Sequence, residues 1–127
     1  VIGGGHLGQA IANYANFERR GFYIKAIFDI DQEIIGKEVR GVRVYSMDEL
    51  EDFIKKNDIH IAALAIPKLQ AEEVAKRLVA AGIVGIWNYA HIDLQVPDNV
   101  VVENVHLSES LMRLSYRVNR EMDKTKK

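Results

Sequence analysis

Gly3-Gly4-Gly5-His6-Leu7-Gly8, followed twenty-one residues later by Asp29, decides the fold of this 127-residue chain. The run fits a G-x-G-x-x-G pattern in which each glycine removes a steric obstacle. The first allows a tight turn, the second lets backbone approach a diphosphate, and the third lets the next helix pack closely on its strand. Glycine-rich turns are common, so the second half of the signal matters. Tyr23-Ile24-Lys25-Ala26-Ile27-Phe28-Asp29 reads as a strand that ends in a carboxylate. An acid there accepts hydrogen bonds from both hydroxyls of an adenosine ribose and repels a 2′-phosphate. Ile30 and Asp31 come next, with no arginine close by, which favours NAD(H) over NADP(H).

Outward from the turn, apolar spacing predicts alternating helices and strands. Leu7 to Arg20 reads as one helix with Leu7, Ile11, Tyr14 and Ala15 on a face, and its positive dipole end lies at the glycines. A loop near Gly36 leads to a strand at Val42–Tyr45, then Ser46 and Glu49 form a capping box for a helix to about Asn57. Met47, Leu50, Phe53 and Ile54 are its expected buried residues. Ile59–Ile66 is nearly continuous apolar, as a strand covered on both faces should be, and Pro67 ends it. A helix over Leu69–Ala81 with Gly82 at its end, and strands at Gly85–Asn88 and Val100–Glu103, complete an α/β, doubly wound, mostly parallel sheet of Rossmann type. The strand that feeds the glycine turn is expected to be the central one, although only Val1 and Ile2 precede the turn.

The C-terminal segment differs. Leu107 to Met122 is helical in pattern, with Leu111, Leu114, Val118 and Met122 on one stripe and Met112 and Tyr116 beside it. That face is wider than a terminal helix needs for its own sheet. The favoured expectation is insertion into a second subunit, a domain-swapped helix, with simple packing on its own domain as the alternative. The expected division is therefore 1–105 for the nucleotide-binding domain and 106–127 for a dimerisation helix and tail.

Composition narrows the function. Net charge is −1, with 17 basic and 18 acidic residues interspersed, so no basic footprint for nucleic acid exists. Lys124, Lys126 and Lys127 form a solvated tail. With no cysteine, disulfide and thiolate chemistry are excluded, and any redox role must come from a ligand. No apolar run reaches membrane-spanning length, and a cytoplasmic location is expected. His6, His60, His91 and His106 fit no zinc spacing, and His60 is expected to be a structural residue of a buried strand. Asp48, Glu49, Glu51 and Asp52 read as solvated charge at a helix N-terminus, and no catalytic residue is assigned.

With these segments in order, the chain resembles the C-terminal Rossmann domain of the redox-sensing transcriptional repressors of the Rex family. The likeness runs over the glycine loop with Gln9-Ala10 and Tyr14, Phe28–Asp31, Gly36, and Ile66-Pro67. It continues through Ala81–Ile86, Asn88-Tyr89-Ala90, Val96-Pro97, Val102–Val105 and the closing helix. The resemblance implies a homodimer that prefers NADH to NAD+ and touches operator DNA only through an N-terminal winged-helix domain expected upstream. NADH then releases the DNA. It also implies that Gly3, Gly4, Gly5, His6, Leu7 and Gly8 hold the diphosphate and Asp29 the adenine ribose. Ala65, Ile66 and Pro67 line the crevice, and Asn88 and Tyr89 lie toward the nicotinamide. Tyr14 and residue 106 belong to a ligand-dependent contact across the dimer, and the closing helix, with Leu111, Leu114 and Val118, is exchanged. The chain departs from the family at His6, where Asn is usual, at His91, where Pro is common, and at His106, often Asp. A histidine does not offer the charge-assisted acceptor of an aspartate.

Two other classes compete. A cofactor-binding fragment of an NAD-dependent dehydrogenase or nucleotide-sugar enzyme would share Gly36 to Pro67 but fits Asn88 to Tyr116 poorly. A pure interaction scaffold would bind no nucleotide.

Overall fold

The computed structural model describes residues 1–14, 16–105 and 107–125. Ala15, His106, Lys126 and Lys127 therefore lie outside the described residues. The helices are α1 (His6–Asn13), α2 (Asn16–Arg19), α3 (Leu50–Asn57), α4 (Lys68–Ala81) and α5 (Leu107–Thr125). The strands are β1 (Ile27–Asp29), β2 (Glu38–Val39), β3 (Val42–Ser46), β4 (Ile61–Leu64), β5 (Gly85–Asn88) and β6 (Val101–Asn104). The α/β doubly wound architecture read from the sequence is the one observed.

The sheet is joined at its centre by very little chain. β1 pairs with β3 in parallel, Ile27 opposite Val44, while β4, β5 and β6 pair in parallel with Ala62 opposite Ile86 and Ile86 opposite Val102. Ile2 bridges the two halves, in parallel to Phe28 on one side and Leu64 on the other. Its N–H donates to Ala63 O at 2.8 Å, and its carbonyl accepts from Ala65 N at 2.8 Å. Gly3 N–H donates to Phe28 O at 2.8 Å. Val1–Gly3 thus holds the central place, and the glycine turn opens at the carboxyl edge of the sheet.

Side chains alternate across the sheet and feed two cores. Phe28, Ala62, Leu64 and Ile86 face α3 and α4, where Leu50, Ile54, Ala71, Ala75 and Leu78 close the larger core. Ile27, Val44 and Ala12 of α1 form a smaller one on the opposite face. The helix predicted from Leu7 to Arg20 is interrupted. α1 stops at Asn13 because Tyr14 turns extended (φ −77°, ψ 101°), and its last turn is closed by Tyr14 N–H to Ile11 O at 3.2 Å. Arg40, in the turn between β2 and β3, donates to Asn13 O at 2.8 Å and caps that end from outside the helix. β2, which pairs antiparallel to β3, had no clear sequence signal: it has two residues, and its turn places Arg40 at φ 51° beside Gly41 at φ 79°.

The capping box at Ser46 and Glu49 forms as read, closing a single 3-10 turn at Met47–Glu49 before α3. Gly82 ends α4 in the left-handed region (φ 110°), with Ile83 N–H bonded to Leu78 O. Two expectations are corrected. His60 is exposed and lies 3.4 Å from Asp58, because β4 begins at Ile61, two residues later than the apolar run suggested. Glu51 is not merely solvated charge: it pairs with the Arg77 guanidinium, whose second nitrogen also donates to Met47 O at 2.6 Å, tying α3 to α4.

That bond to Arg77 holds the Glu51 carboxyl below its ordinary value, against an opposing effect of burial. The stabilisation is therefore present above the ordinary carboxylate range and is lost as pH falls through the lowered folded value. Arg77→Met, which keeps the aliphatic stem, is expected to cost about 1 kcal/mol at pH 7, since the pair is partly exposed and screened. Urea titrations at pH 7 and pH 3 test this: the gap between variant and wild type should shrink in acid.

Candidate functional site

The glycine turn separates into positions that face protein and one that faces space. Gly3 has φ 107°, and a Cβ there would lie 2.3 Å from Ala65 O. A Cβ on Gly8 would lie 1.7 Å from Gly3 O, so the first turn of α1 rests directly on the backbone it follows. A Cβ on Gly4 would meet Ile34 Cδ1 at 2.6 Å. Around Gly5 no atom lies within 4 Å of that point. The absence of side chains at Gly3 and Gly8 lets the turn close, and the absence at Gly5 keeps its outer surface open.

Gly5 is the N-cap of α1 and has no side-chain oxygen with which to cap it. The first N–H groups of an α-helix have no acceptor within the helix, and they carry its positive dipole end. His6 and Leu7, exposed and half-buried respectively, stand at that end. Gln9 folds back, Nε2 donating to Gly4 O at 2.8 Å, and braces the turn from within α1. Its role was not legible in the sequence, where a glutamine one residue past the last glycine has no distinguishing spacing.

Asp29 closes the other side. One carboxylate oxygen accepts from Gly4 N at 2.6 Å, and the second accepts from Ile30 N at 2.7 Å and Asp31 N at 3.0 Å. Three backbone donors thus aim the acid at the glycine turn, a placement that sequence distance alone did not prescribe. The two halves of the signal, far apart in the chain, touch in the fold.

The remaining predicted residues lie along the same edge. Ala65 supplies the carbonyl against Gly3, Ile66 Cγ2 lies 3.1 Å from the position a Gly3 Cβ would take, and Pro67 is the N-cap of α4. Tyr89 N–H donates to Leu64 O at 3.0 Å, which carries the β5 end beside the β4 end. The Tyr89 ring stands edge-on to Trp87 at 5.0 Å, and burial pushes its phenol above its ordinary value, so the hydroxyl stays a neutral donor.

Asn88 is buried and fully committed. Its Nδ2 donates to Ile92 O and to Asn104 Oδ1, both at 2.9 Å, and Oδ1 accepts from Ala90 N at 3.0 Å. These bonds shape the loop that follows β5. In that loop His91 has φ 55°, a conformation a proline could not adopt. Tyr14 is 52% exposed and packs edge-on to Phe17 at 4.8 Å, and Phe17 packs in turn on Trp87 at 5.8 Å. Its contact with residue 106 falls outside the described residues. Leu111, Leu114 and Val118 are exposed on α5, far from covered by their own domain.

A cavity of about 510 Å³ lies elsewhere, at the amino ends of the strands, lined by Phe22, Ile24, Ile59, Ile61, Gly85 and Val101 among others. The nucleotide signal points to the opposite edge. Among the described residues no group of three His, Cys, Asp or Glu could hold a metal ion. No helix among them is long and apolar enough to cross a membrane.

Fold and turn together define a Rossmann-type α/β domain. Residues 1–92 match the CoA binding domain family, and the chain belongs to it. Beyond that, it is similar to the redox-sensing transcriptional repressor Rex of Caldicellulosiruptor saccharolyticus, 50% identical over 122 residues, which are 96% of this chain and 56% of the relative. Among solved structures it resembles RSP, a Rex-family repressor, in complex with beta-NADH. The TM-score is 0.90 at 54% identity, covering 98% of this chain and 60% of that one. The same protein with beta-NAD+ and operator DNA matches with a TM-score of 0.87, over 98% of this chain and 58% of that one. The likeness to Rex read from the sequence therefore holds along nearly the whole chain, and these relatives are named as repressors, not enzymes. The chain spans little more than half the length of the curated relatives it matches.

Proposed function

We propose that this chain is the NAD(H)-sensing and dimerising part of a redox-sensing transcriptional repressor, with residues 1–105 binding the nucleotide and 106–127 serving dimerisation. The observation that carries the reading is the turn itself: Gly5 open to solvent, Gly8 seated on Gly3 O, and Asp29 bonded to Gly4 N. NAD(H) fits it by charge and shape. The diphosphate meets the N–H groups at Gly5, His6 and Leu7 with no Cβ in its way, and Asp29 takes the ribose hydroxyls. Ala65, Ile66 and Pro67 line the way to Tyr89 and to the loop that Asn88 holds. When bound, the cofactor supplies a two-state signal, because its nicotinamide is a cation only when oxidised.

A half-apolar edge distinguishes the two forms in this reading, because burying an uncompensated cation costs free energy. NADH is then the tighter ligand. Two dimer arrangements follow the ligand only through differential affinity, and reversing a roughly 1:99 population needs about 5.5 kcal/mol. In this reading the chain works in the cytoplasm as a homodimer with exchanged α5 helices. Operator DNA is contacted by a winged-helix domain of the whole protein and not by this near-neutral segment.

Calorimetric titration with each cofactor form tests the sensor. NADH is expected to bind about tenfold or more tightly than NAD+. Equal affinities would defeat it, and hydride transfer to a small carbonyl compound would favour the dehydrogenase alternative.

A further inference from the structure

The family's description names coenzyme A, an ADP derivative that carries a phosphate on its ribose 3′-oxygen. Residues 29–37 (Asp-Ile-Asp-Gln-Glu-Ile-Ile-Gly-Lys) carry three carboxylates and one ammonium. The first carboxylate is held against the glycine turn by Gly4, Ile30 and Asp31 N–H groups. Asp31 is engaged locally, its own carboxylate accepting from Glu33 N at 2.9 Å. Arg40, the first arginine after this stretch, is spent on Asn13 O.

We infer that Asp29 makes this crevice reject coenzyme A and other nucleotides with a phosphate on the ribose 3′-oxygen, although the chain belongs to a family described by that ligand. The inference rests on the nucleotide reading above and adds a statement about the class of ligand excluded. With a diphosphate on the Gly5 edge, the adjoining ribose lies beside the acid that bonds Gly4. A carboxylate accepts from two hydroxyls there, but a 3′-phosphate removes one donor and brings like charge into contact. Swinging the acid away gives up its bonds to Ile30 and Asp31 N–H and leaves the buried Gly4 N–H without its acceptor.

Dephospho-coenzyme A and coenzyme A differ only in that phosphate, as do ADP and 3′-phospho-ADP, so each pair isolates it. NADH is first titrated directly onto the protein, followed by its fluorescence, and is then displaced with each compound. Dephospho-coenzyme A and ADP are expected to displace it about tenfold or more effectively than their 3′-phosphorylated partners. In Asp29→Asn, which keeps an acceptor for Gly4 N–H but loses the charge, the ratio is expected to fall to about threefold or less. Equal displacement by the two members of each pair overturns the inference and leaves the nucleotide reading intact. Failure of ADP and dephospho-coenzyme A alike to displace bound NADH also overturns it, since no grip on the adenosine half would exist. No NADH binding in the first titration defeats the parent reading instead.

Discussion

Gly5→Ala is expected to leave the fold intact and weaken NADH binding about tenfold or more, whereas Gly8→Ala damages both. The difference follows from where each new methyl group goes. At Gly5 it enters open space, and the backbone there (φ −75°, ψ −165°) suits any residue. Thermal stability should stay within about 0.5 kcal/mol of wild type. The methyl group would nevertheless occupy the surface on which the diphosphate rests, and lengthening those hydrogen bonds removes the charge-assisted part of binding. At Gly8 the methyl carbon would sit 1.7 Å from Gly3 O, backbone against backbone, with no flexible side chain to yield. α1 must lift from the turn, which costs about 3 kcal/mol and carries the helix N–H groups away from the site. Denaturant titrations and NADH titrations on both variants separate the two effects. Wild-type affinity in Gly5→Ala would show that the turn does not hold the diphosphate.

The second large effect concerns α5. Leu111, Leu114 and Val118, with Met122, make one apolar stripe, and they are 67%, 58%, 46% and 52% exposed. Fully burying such a side chain stabilises by about 1.5–3 kcal/mol, so a stripe of this size left in water is a standing drive toward association. A second copy of the chain is the proposed cover. Replacing Leu111, Leu114 and Val118 together by glutamine removes that drive without disturbing the domain, because these side chains are exposed within the monomer. Sedimentation should show a dimer for wild type and a monomer for the triple variant, with the dissociation constant raised about a hundredfold or more. A dimer that survives the substitutions, or a wild-type chain that is monomeric, would refute the exchanged helix.

Sequence reasoning failed where a contact was nonlocal and carried no periodicity. The spacing of Leu7, Ile11 and Tyr14 continues smoothly through the point where α1 breaks, and no proline or glycine marks it. Tyr14 turns extended there, and the group that caps the freed end is Arg40, twenty-seven residues away, donating to Asn13 O. Asn88 shows the same limit. Its bonds to Ile92, Asn104 and Ala90, which hold the loop after β5, carry no signal in the sequence. His60 was misplaced by one strand boundary, enough to turn its side chain from the interior to solvent.

Glycine positions, strand-end acid and apolar runs act locally, through sterics and periodicity, so the doubly wound fold and the pairing of Gly3–Gly8 with Asp29 were legible in one dimension. Tertiary structure alone decided that Asp29 would aim at Gly4, that Gln9 would brace the turn, and that Glu51 would join Arg77. Those are bonds between groups whose separation along the chain says nothing of their separation in space. Their energies depend on angles and distances within a few tenths of an ångström, which only the packed chain sets.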